Sequence, residues 1–411
     1  MRLIADLHIH SRFSRATSSE MNIERIAEAA KIKGIGLVAT SDFTHPEWLA
    51  ELKEKLKPKR EGIYEFNGIS FILNTEVNNN YTKGGRLRRI HNLIFAPSFE
   101  IVERINKKLS AYGNLAADGR PTLSLDSYEM FKMILDISED CFLIPAHIWT
   151  PWFSLFGSNS GFDSIEECFE DLTDRIIALE TGLSSDPAMN WLLSSLDRFA
   201  LVSNSDAHSP NRLGREANVF AFEPDYYQLM EVLKEKDRKR FLFTIEFFPE
   251  EGKYHYDGHR RCRVRFSPEE AMMANNLCPE CSRPLTIGVL HRVMSLADRK
   301  KGFVPKDAIP FKRLVPLDEI IAEAIGVGRD TVAVRSEFLK LCKNFGGEFS
   351  VLLDVPIEEI ERVSNERIAL AVNKVRNGDL IIEPGYDGEF GKIRIFPEGE
   401  EKGKKPQLSL F

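Results

Sequence analysis

The sequence predicts an α/β fold, a barrel of alternating strands and helices followed by a small basic segment and a mainly helical region. Three observations predict it. Through the first 245 residues, short apolar runs alternate with stretches of helical period, beginning with residues 3–7 and then 22–33, where Ile23, Ile26, Ala27 and Ala30 share one face. The rhythm stops at Phe247-Phe248-Pro249, where a short stretch rich in His, Cys and Arg begins. Past a second boundary near residues 300–310 the spacing is helical over 318–325, 331–345 and 357–376, and 380–396 has hairpin character with its turn at Asp387-Gly388. The expected units are 1–248, 249–305 and 306–396, with a charged, proline-containing tail at 397–411 expected to be disordered.

Strand after strand ends on a polar residue. Run 35–40 leads to Ser41-Asp42, 69–73 to Thr75-Glu76, 142–146 to His147, 176–179 to Glu180 and 200–202 to Asp206. In barrels of alternating strands and helices the reactive groups gather at the C-terminal strand ends, so these side chains can converge in one bowl. An open doubly wound sheet shares the rhythm and is the alternative; the barrel is favoured.

At 411 residues the chain is too long for one ordinary core. With 43% hydrophobic and 28% charged residues, and no apolar run near the roughly 20 residues of a membrane span, it reads as a soluble, cytoplasmic, monomeric protein. Six scattered cysteines do not make a disulfide framework in a chain of this size. The net charge of −7 conceals an asymmetry, since residues 253–313 hold thirteen Lys/Arg against six Asp/Glu. Local charge decides nucleic-acid binding, so the acidic total excludes nothing.

The nine histidines form two groups: His8, His10, His45, His91, His147 and His208, then His255, His259 and His291. His8-Ile9-His10 on a strand puts both imidazoles on one face, and Asp206-Ala207-His208 repeats that geometry at another strand end. Imidazole with carboxylate suits zinc, manganese or iron better than magnesium or calcium. Glu76 and His147 add ligands, and Glu76 is placed to bridge two ions. Glu180 reads as a ligand or as a support to one. In the second group, Cys278-Pro279-Glu280-Cys281 has the spacing of a zinc knuckle, and His259 with Cys262 supplies the matching pair, His255 standing in reserve. Such a site holds together a segment too small to own a core, and Arg260 and Arg261 beside it suit phosphates. Around the bowl, Lys83, Arg86, Arg88 and Arg89 read as a basic flap, and Trp149, Trp152 and Phe153, following His147, as an aromatic loop able to stack on a base.

Asp6-Leu7-His8-Ile9-His10-Ser11 and Ser205-Asp206-Ala207-His208 resemble the opening and closing motifs of PHP phosphoesterases, with Glu76, His91 and His147 in order between them. The resemblance implies a distorted seven-stranded β-α barrel with two or three metal ions, His8, His10, Glu76 and Asp206 sharing one and Glu76, His91 and His147 another. It departs where most members have Thr-Asp-His and this chain has Ser41-Asp42-Phe43, and where Arg15 replaces an Asp or His. A third ion would then fall to Asp42 and His208, with His45 as substitute ligand. The segments 254–260, 278–281 and 288–293, with Ser41 to Pro46 and 147–153, resemble endonuclease Q. This implies a DNA repair endonuclease that cuts 5′ to uracil, hypoxanthine, xanthine or an abasic site by metal-activated water, with Asp206, Glu76, His8 and His10 as catalytic residues. It also implies Zn2+ as cofactor, Mn2+ or Mg2+ able to support activity, and one structural Zn2+. Gln407 to Phe411 resembles the start of a sliding-clamp motif. The alternatives are a small-molecule phosphoesterase of the histidinol-phosphatase kind and a silent DNA-binding scaffold.

Overall fold

The computed structural model describes residues 2–399. β1 (Leu3–Asp6), buried throughout, pairs in parallel with β2 (Leu37–Ala39), and β2 in parallel with β3 (Ile69–Ile72). Strands buried on both faces must be apolar throughout, which is why the sequence runs were continuous rather than alternating. β3 continues past Leu73 into β4 (Asn74–Lys83), which folds back antiparallel on β5 (Arg86–Phe95), and β5 pairs antiparallel with β6 (Phe142–Pro145). β6 packs beside β7 (Ala178–Glu180), which pairs in parallel with β8 (Ala200–Val202). The ring closes beyond β8, where the Leu7 amide donates to Asn204 Oδ1 at 2.9 Å, the Asp206 amide to the His8 carbonyl at 2.9 Å, and Ile9 bridges to Ala207.

Counting β3 and β4 as one station gives the expected seven-stranded barrel, distorted because β5 runs against its neighbours. The free edge of β1 is covered by the antiparallel strand Ala217–Phe220, then Phe241–Glu246, then Phe311–Arg313. α1 (Ile23–Lys33), capped by Asn22 on the Arg25 amide, packs its buried face of Ile23, Ile26, Ala27 and Ala30 onto the barrel.

The C-terminal region holds α2 (Leu317–Ile325), α3 (Val332–Phe345), α4 (Glu348–Leu353), α5 (Ile357–Val363) and α6 (Glu366–Asn377). α2 stops on Gly326 in the left-handed conformation, as a helix stop does. The single helix expected over 357–376 is two, because the Asn365 side chain caps the Ile368 amide and starts a new axis. α4 was not expected, and it locks this region to the barrel. Lys33 Nζ reaches Glu348 Oε2 at 2.6 Å, both residues buried, while Glu348 Oε1 accepts the Leu317 amide at 2.9 Å.

The expected hairpin forms from Ile381–Glu383 and Lys392–Arg394, but its tip leaves the helices and clamps the Cys/His segment. Gly385 O accepts the Tyr256 amide at 2.9 Å, and Asp387 accepts from the Arg260 amide and from Thr286 Oγ1, each at 2.6 Å. The basic segment and the hairpin are thus one structural unit. No helix among the described residues is long and apolar enough to cross a membrane. Most of the tail expected to be disordered, including Gln407 to Phe411, lies outside the described residues.

Replacing Lys33 by Met leaves the Glu348 carboxylate buried without its counter-ion. We expect a loss of about 3–5 kcal/mol in chemical denaturation, most of it recovered when Glu348 is also made apolar.

Candidate active site

The chain leaves the barrel strands in a conformation that side chains resist. Asp42 (φ +47°), His147 (φ +30°) and Asp206 (φ +47°) all sit in left-handed backbone, which concentrates at functional positions where surrounding structure over-determines the strain. Opposite His147 the chain needs Gly182, since a Cβ there would lie 2.4 Å from the His147 Cβ.

Two groups of side chains result, each with ligand atoms within 4.8 Å of one another: His8, His10, Glu76 and Asp206, and Glu76, His91 and His147. Glu76 belongs to both and has no exposed surface. Its Oε2 lies 3.1 Å from His10 Nε2 and 3.4 Å from His8 Nε2, and its Oε1 lies 2.6 Å from His91 Nδ1 and 3.1 Å from His147 Nε2. Asp206 Oδ1 closes the first group, 3.0 Å from His10 Nε2 and 3.6 Å from His8 Nε2. His91 breaks the strand-end pattern, yet the β4–β5 register explains it. His91 pairs with Asn78, so it shares a face with Glu76 two residues along.

The electrostatics are those of a cation site. Burial would raise the Glu76 carboxyl, but His91, Arg120 and His8 outweigh it and hold the group well below the usual carboxylate range. Burial opposes ionisation of Asp206 too, and His8 and His10 hold it well below its ordinary value. Burial also disfavours charged His8 and His10, yet the carboxylates around them raise both well above the histidine norm. His91 is lowered to about 4, chiefly by burial. The donor set fits a metal: His8 Nε2, His10 Nε2 and Asp206 Oδ1 are buried atoms that make no hydrogen bond among the described residues, and they point at one another.

Glu180 is in neither group. It lies 3.0 Å from His8 Nδ1 and accepts from the His147 amide and Asn204 Nδ2, each at 2.7 Å, so it fixes the His8 tautomer with Nε2 facing inward. Asp42, expected as a ligand, does the same for His10. Its Oδ2 is consumed by the Ser11 amide (2.7 Å), Ser11 Oγ (2.6 Å) and Ser14 Oγ (2.8 Å), and its Oδ1 faces His10 Nδ1 at 3.3 Å. His45 heads the helix Pro46–Lys55 with its ring stacked on Phe13 at 4.3 Å, and His208 turns Nδ1 to the Asp206 carbonyl at 2.9 Å. Among the described residues no third group assembles from Asp42, His45 and His208.

Three expected DNA contacts are corrected. Trp149 is core, fully buried with Nε1 donating to Asn190 Oδ1 at 2.7 Å. Arg88 is buried, bonded to the Gly161 carbonyl with its guanidinium 4.0 Å above the Phe162 ring. Lys83 is tied to Glu170 at 2.7 Å and to the Cys168 carbonyl at 3.1 Å. At the rim remain exposed Arg86 and exposed Trp152, edge-on to Tyr254 at 5.7 Å, with part-buried Arg89 beside the Phe153 ring at 5.6 Å and part-buried Phe153 5.1 Å from His91. Arg260 and Arg261 are also exposed. Arg120 was missed: its Nη1 lies 3.0 Å from Glu76 Oε2, and it comes from a loop without strand-end pattern, where Gly119-Arg120-Pro121 was the available signal.

In the basic segment, His259, Cys262, Cys278 and Cys281 converge, with His259 Nδ1 3.5 Å from Cys281 Sγ. The Cys281 thiol is lowered, first by the backbone N–H of Arg283, which suits a thiolate ligand. His255 lies apart, stacked on Tyr256, and His291 pairs with Asp257 at 2.6 Å. Only Val264, Ala271, Cys278 and Leu285 form the buried cluster here, too few to hold the segment by packing.

A barrel with two overlapping imidazole–carboxylate groups at its mouth has the fold and the ligand arrangement expected from the likeness to PHP phosphoesterases. A domain model described as the MJ0043 C-terminal domain matches residues 316–379. The lesion-specific endonuclease PfuEndoQ of Pyrococcus furiosus superimposes with a TM-score of 0.87 at 36% identity, over 99% of this chain and 98% of that one. An endonuclease Q bound to a 27-mer duplex with an abasic lesion at its active site does so with a TM-score of 0.86 at 36% identity, over 99% of this chain and 100% of that one. The chain belongs to the endonuclease Q family. The uncharacterised protein MJ0043 of Methanocaldococcus jannaschii is 34% identical over 287 residues, 67% of this chain, which spans 35% of that relative's length.

Cys278→Ser is expected to remove one metal equivalent per chain, counted by elemental analysis. Glu180→Ala should leave the ligand set complete but lower metal affinity about 10–100-fold, measured by chelator competition, because His8 loses the partner that aims it.

Proposed function

We propose that this protein is a lesion-specific DNA repair endonuclease that hydrolyses the phosphodiester on the 5′ side of deaminated bases (uracil, hypoxanthine and xanthine) and of abasic sites. One observation carries the reading: the Glu76 carboxylate, without exposed surface, turns one oxygen to each of two imidazole groups. That arrangement would suit two neighbouring cations, whose charge would draw the phosphate of a phosphodiester. Membership of the endonuclease Q family supplies the substrate class. A small-molecule phosphoesterase would have no use for the exposed arginines of the Cys/His segment, and a silent scaffold none for two complete ligand groups.

His8, His10, Glu76 and Asp206 would hold one ion and Glu76, His91 and His147 a second, with zinc or manganese favoured by the donor chemistry and a structural zinc on His259, Cys262, Cys278 and Cys281. Bound there, the ions would acidify a water and neutralise charge on the phosphate. The protein's part is to aim and exclude. Glu180 and Asp42 hold the His8 and His10 rings with Nε2 inward, and Asp206, whose side chain is 28% exposed, faces the mouth where substrate arrives. Phe153 and Trp152 stand at that rim, placed to support a base taken from the stack. Water oxygen bonds to phosphorus, the bond from phosphorus to the 3′-oxygen breaks, and that oxygen takes a proton, leaving 3′-hydroxyl and 5′-phosphate ends.

The test is incubation of end-labelled duplexes carrying uracil, hypoxanthine, an abasic site or no lesion with protein and added Mn2+ or Mg2+. A nick 5′ to each lesion and none in the control is expected, and Asp206→Ala should abolish incision while DNA binding in gel shift persists. Equal cutting of undamaged duplex, or undiminished cutting by the variant, would overturn the assignment.

A further inference from the structure

Beside the two imidazole groups stands a cation that is not a metal. Arg120 Nη1 is 3.0 Å from Glu76 Oε2, and no other arginine or lysine approaches either group as closely among the described residues. Glu76 has no exposed surface, whereas the Arg120 side chain is 24% exposed, so it spans the distance from the buried carboxylate to the open mouth.

The loop that carries it is fixed on every side. The Gly119 amide donates to the Phe13 carbonyl at 2.9 Å, and the Gly119 carbonyl accepts from Thr44 Oγ1 at 3.3 Å. The Arg120 amide donates to Asp118 Oδ1 at 3.1 Å, and the Pro121 carbonyl accepts the Asn78 amide at 3.0 Å. Position 119 must be glycine, because a Cβ there would stand 2.3 Å from Asp42 Oδ2 and 2.4 Å from Ser14 Oγ. Asp42 is the residue that aims His10, so the arginine loop passes close beside the group that positions that imidazole.

Such anchoring is more than charge neutralisation of Glu76 requires. With cations in the two groups Glu76 would have its counter-charges without Arg120, and the part-exposed guanidinium would be free to serve another anion. We propose that Arg120 is a catalytic residue whose guanidinium donates to a non-bridging oxygen of the phosphodiester being cut. The inference rests on the endonuclease reading above. As the water oxygen closes on phosphorus and the bond to the 3′-oxygen lengthens, negative charge grows on the non-bridging oxygens, and a planar, permanently charged donor held in place stabilises that charge more than the ground state.

The experiment uses the full-length, metal-loaded protein and an abasic-site duplex. Arg120→Ala is expected to keep wild-type metal content and thermal midpoint, to change KM by no more than about threefold, and to lower kcat by about 10²–10³-fold, the loss typical of removing one transition-state donor. Added guanidinium ion should restore part of that loss in Arg120→Ala and none in Asp206→Ala. Unchanged kcat, or a kcat loss that tracks lost metal, overturns the proposal, the latter assigning Arg120 to the upkeep of Glu76. Should the alanine variant fail to fold, Arg120→Lys gives the same reading: a kcat at least about tenfold lower with full metal content supports the role, and wild-type kcat overturns it. Failure of the wild-type protein to nick the duplex would instead remove the endonuclease reading itself. A wild-type nick with Asp206→Ala inactive and Arg120→Ala fully active removes this inference alone.

Discussion

A carboxylate with no solvent exposure, shared between two clusters of imidazoles, is the constraint around which the rest of the molecule is arranged. Transferring Glu76 from water to this position costs several kcal/mol unless every lone pair finds a positive partner. His8, His10, His91, His147 and Arg120 all crowd it. They come from the end of β1, the middle of β5, the end of β6 and one loop, so the site cannot form piecemeal. The barrel must close before Glu76 is compensated.

That closure is itself polar. Asp6, fully buried, accepts from the Ser205 amide and hydroxyl and from the Gly214 amide. Asn204 Oδ1 accepts from the Leu7 amide and from Asn218 Nδ2, and Asn74 Nδ2 donates to the Leu7 carbonyl. These side chains stand in for ladder bonds that the strands cannot make where they splay apart around the ligands. A seam of satisfied buried polar groups gives the opening and closing motifs one register rather than a choice of several.

Much of this was legible in the sequence because period and chemistry coincide at strand ends. The runs before Glu76, His147 and Asp206 fold as strands, and the spacing of Cys278 and Cys281 anticipates their convergence with His259 and Cys262. What was hidden depends on where a polar atom spends its valence. Asp42 has a ligand's position, but two serines and a backbone amide consume its outer oxygen. Arg88 and Trp149 lie in stretches that look like surface flap and loop, yet Phe162 and Asn190 supply partners that draw them inside. The strand pairing of 86–95 with 74–83 brought His91 to the site from the wrong end of its run, and only the register reveals it. Arg120 gave no periodic signal, because an irregular loop held by tertiary hydrogen bonds has none. The break at Ser364 was equally invisible to helical spacing, since the apolar pattern continues across it.

The hairpin clamp on the Cys/His segment has a consequence for the order in which the protein is made. Residues 254–260 leave the ribosome well over a hundred residues before Gly385 and Asp387, which supply their hydrogen bonds. Until that final stretch emerges, the segment keeps its shape through its ligand cluster, its four-residue core and its own strand pair, with Arg292 fastening it to the barrel at Phe156, Phe162 and Asp163. Chains interrupted late in synthesis would carry a closed barrel with its basic arm unbraced. The brace on the Cys/His segment is thus laid down more than a hundred residues after the segment it holds.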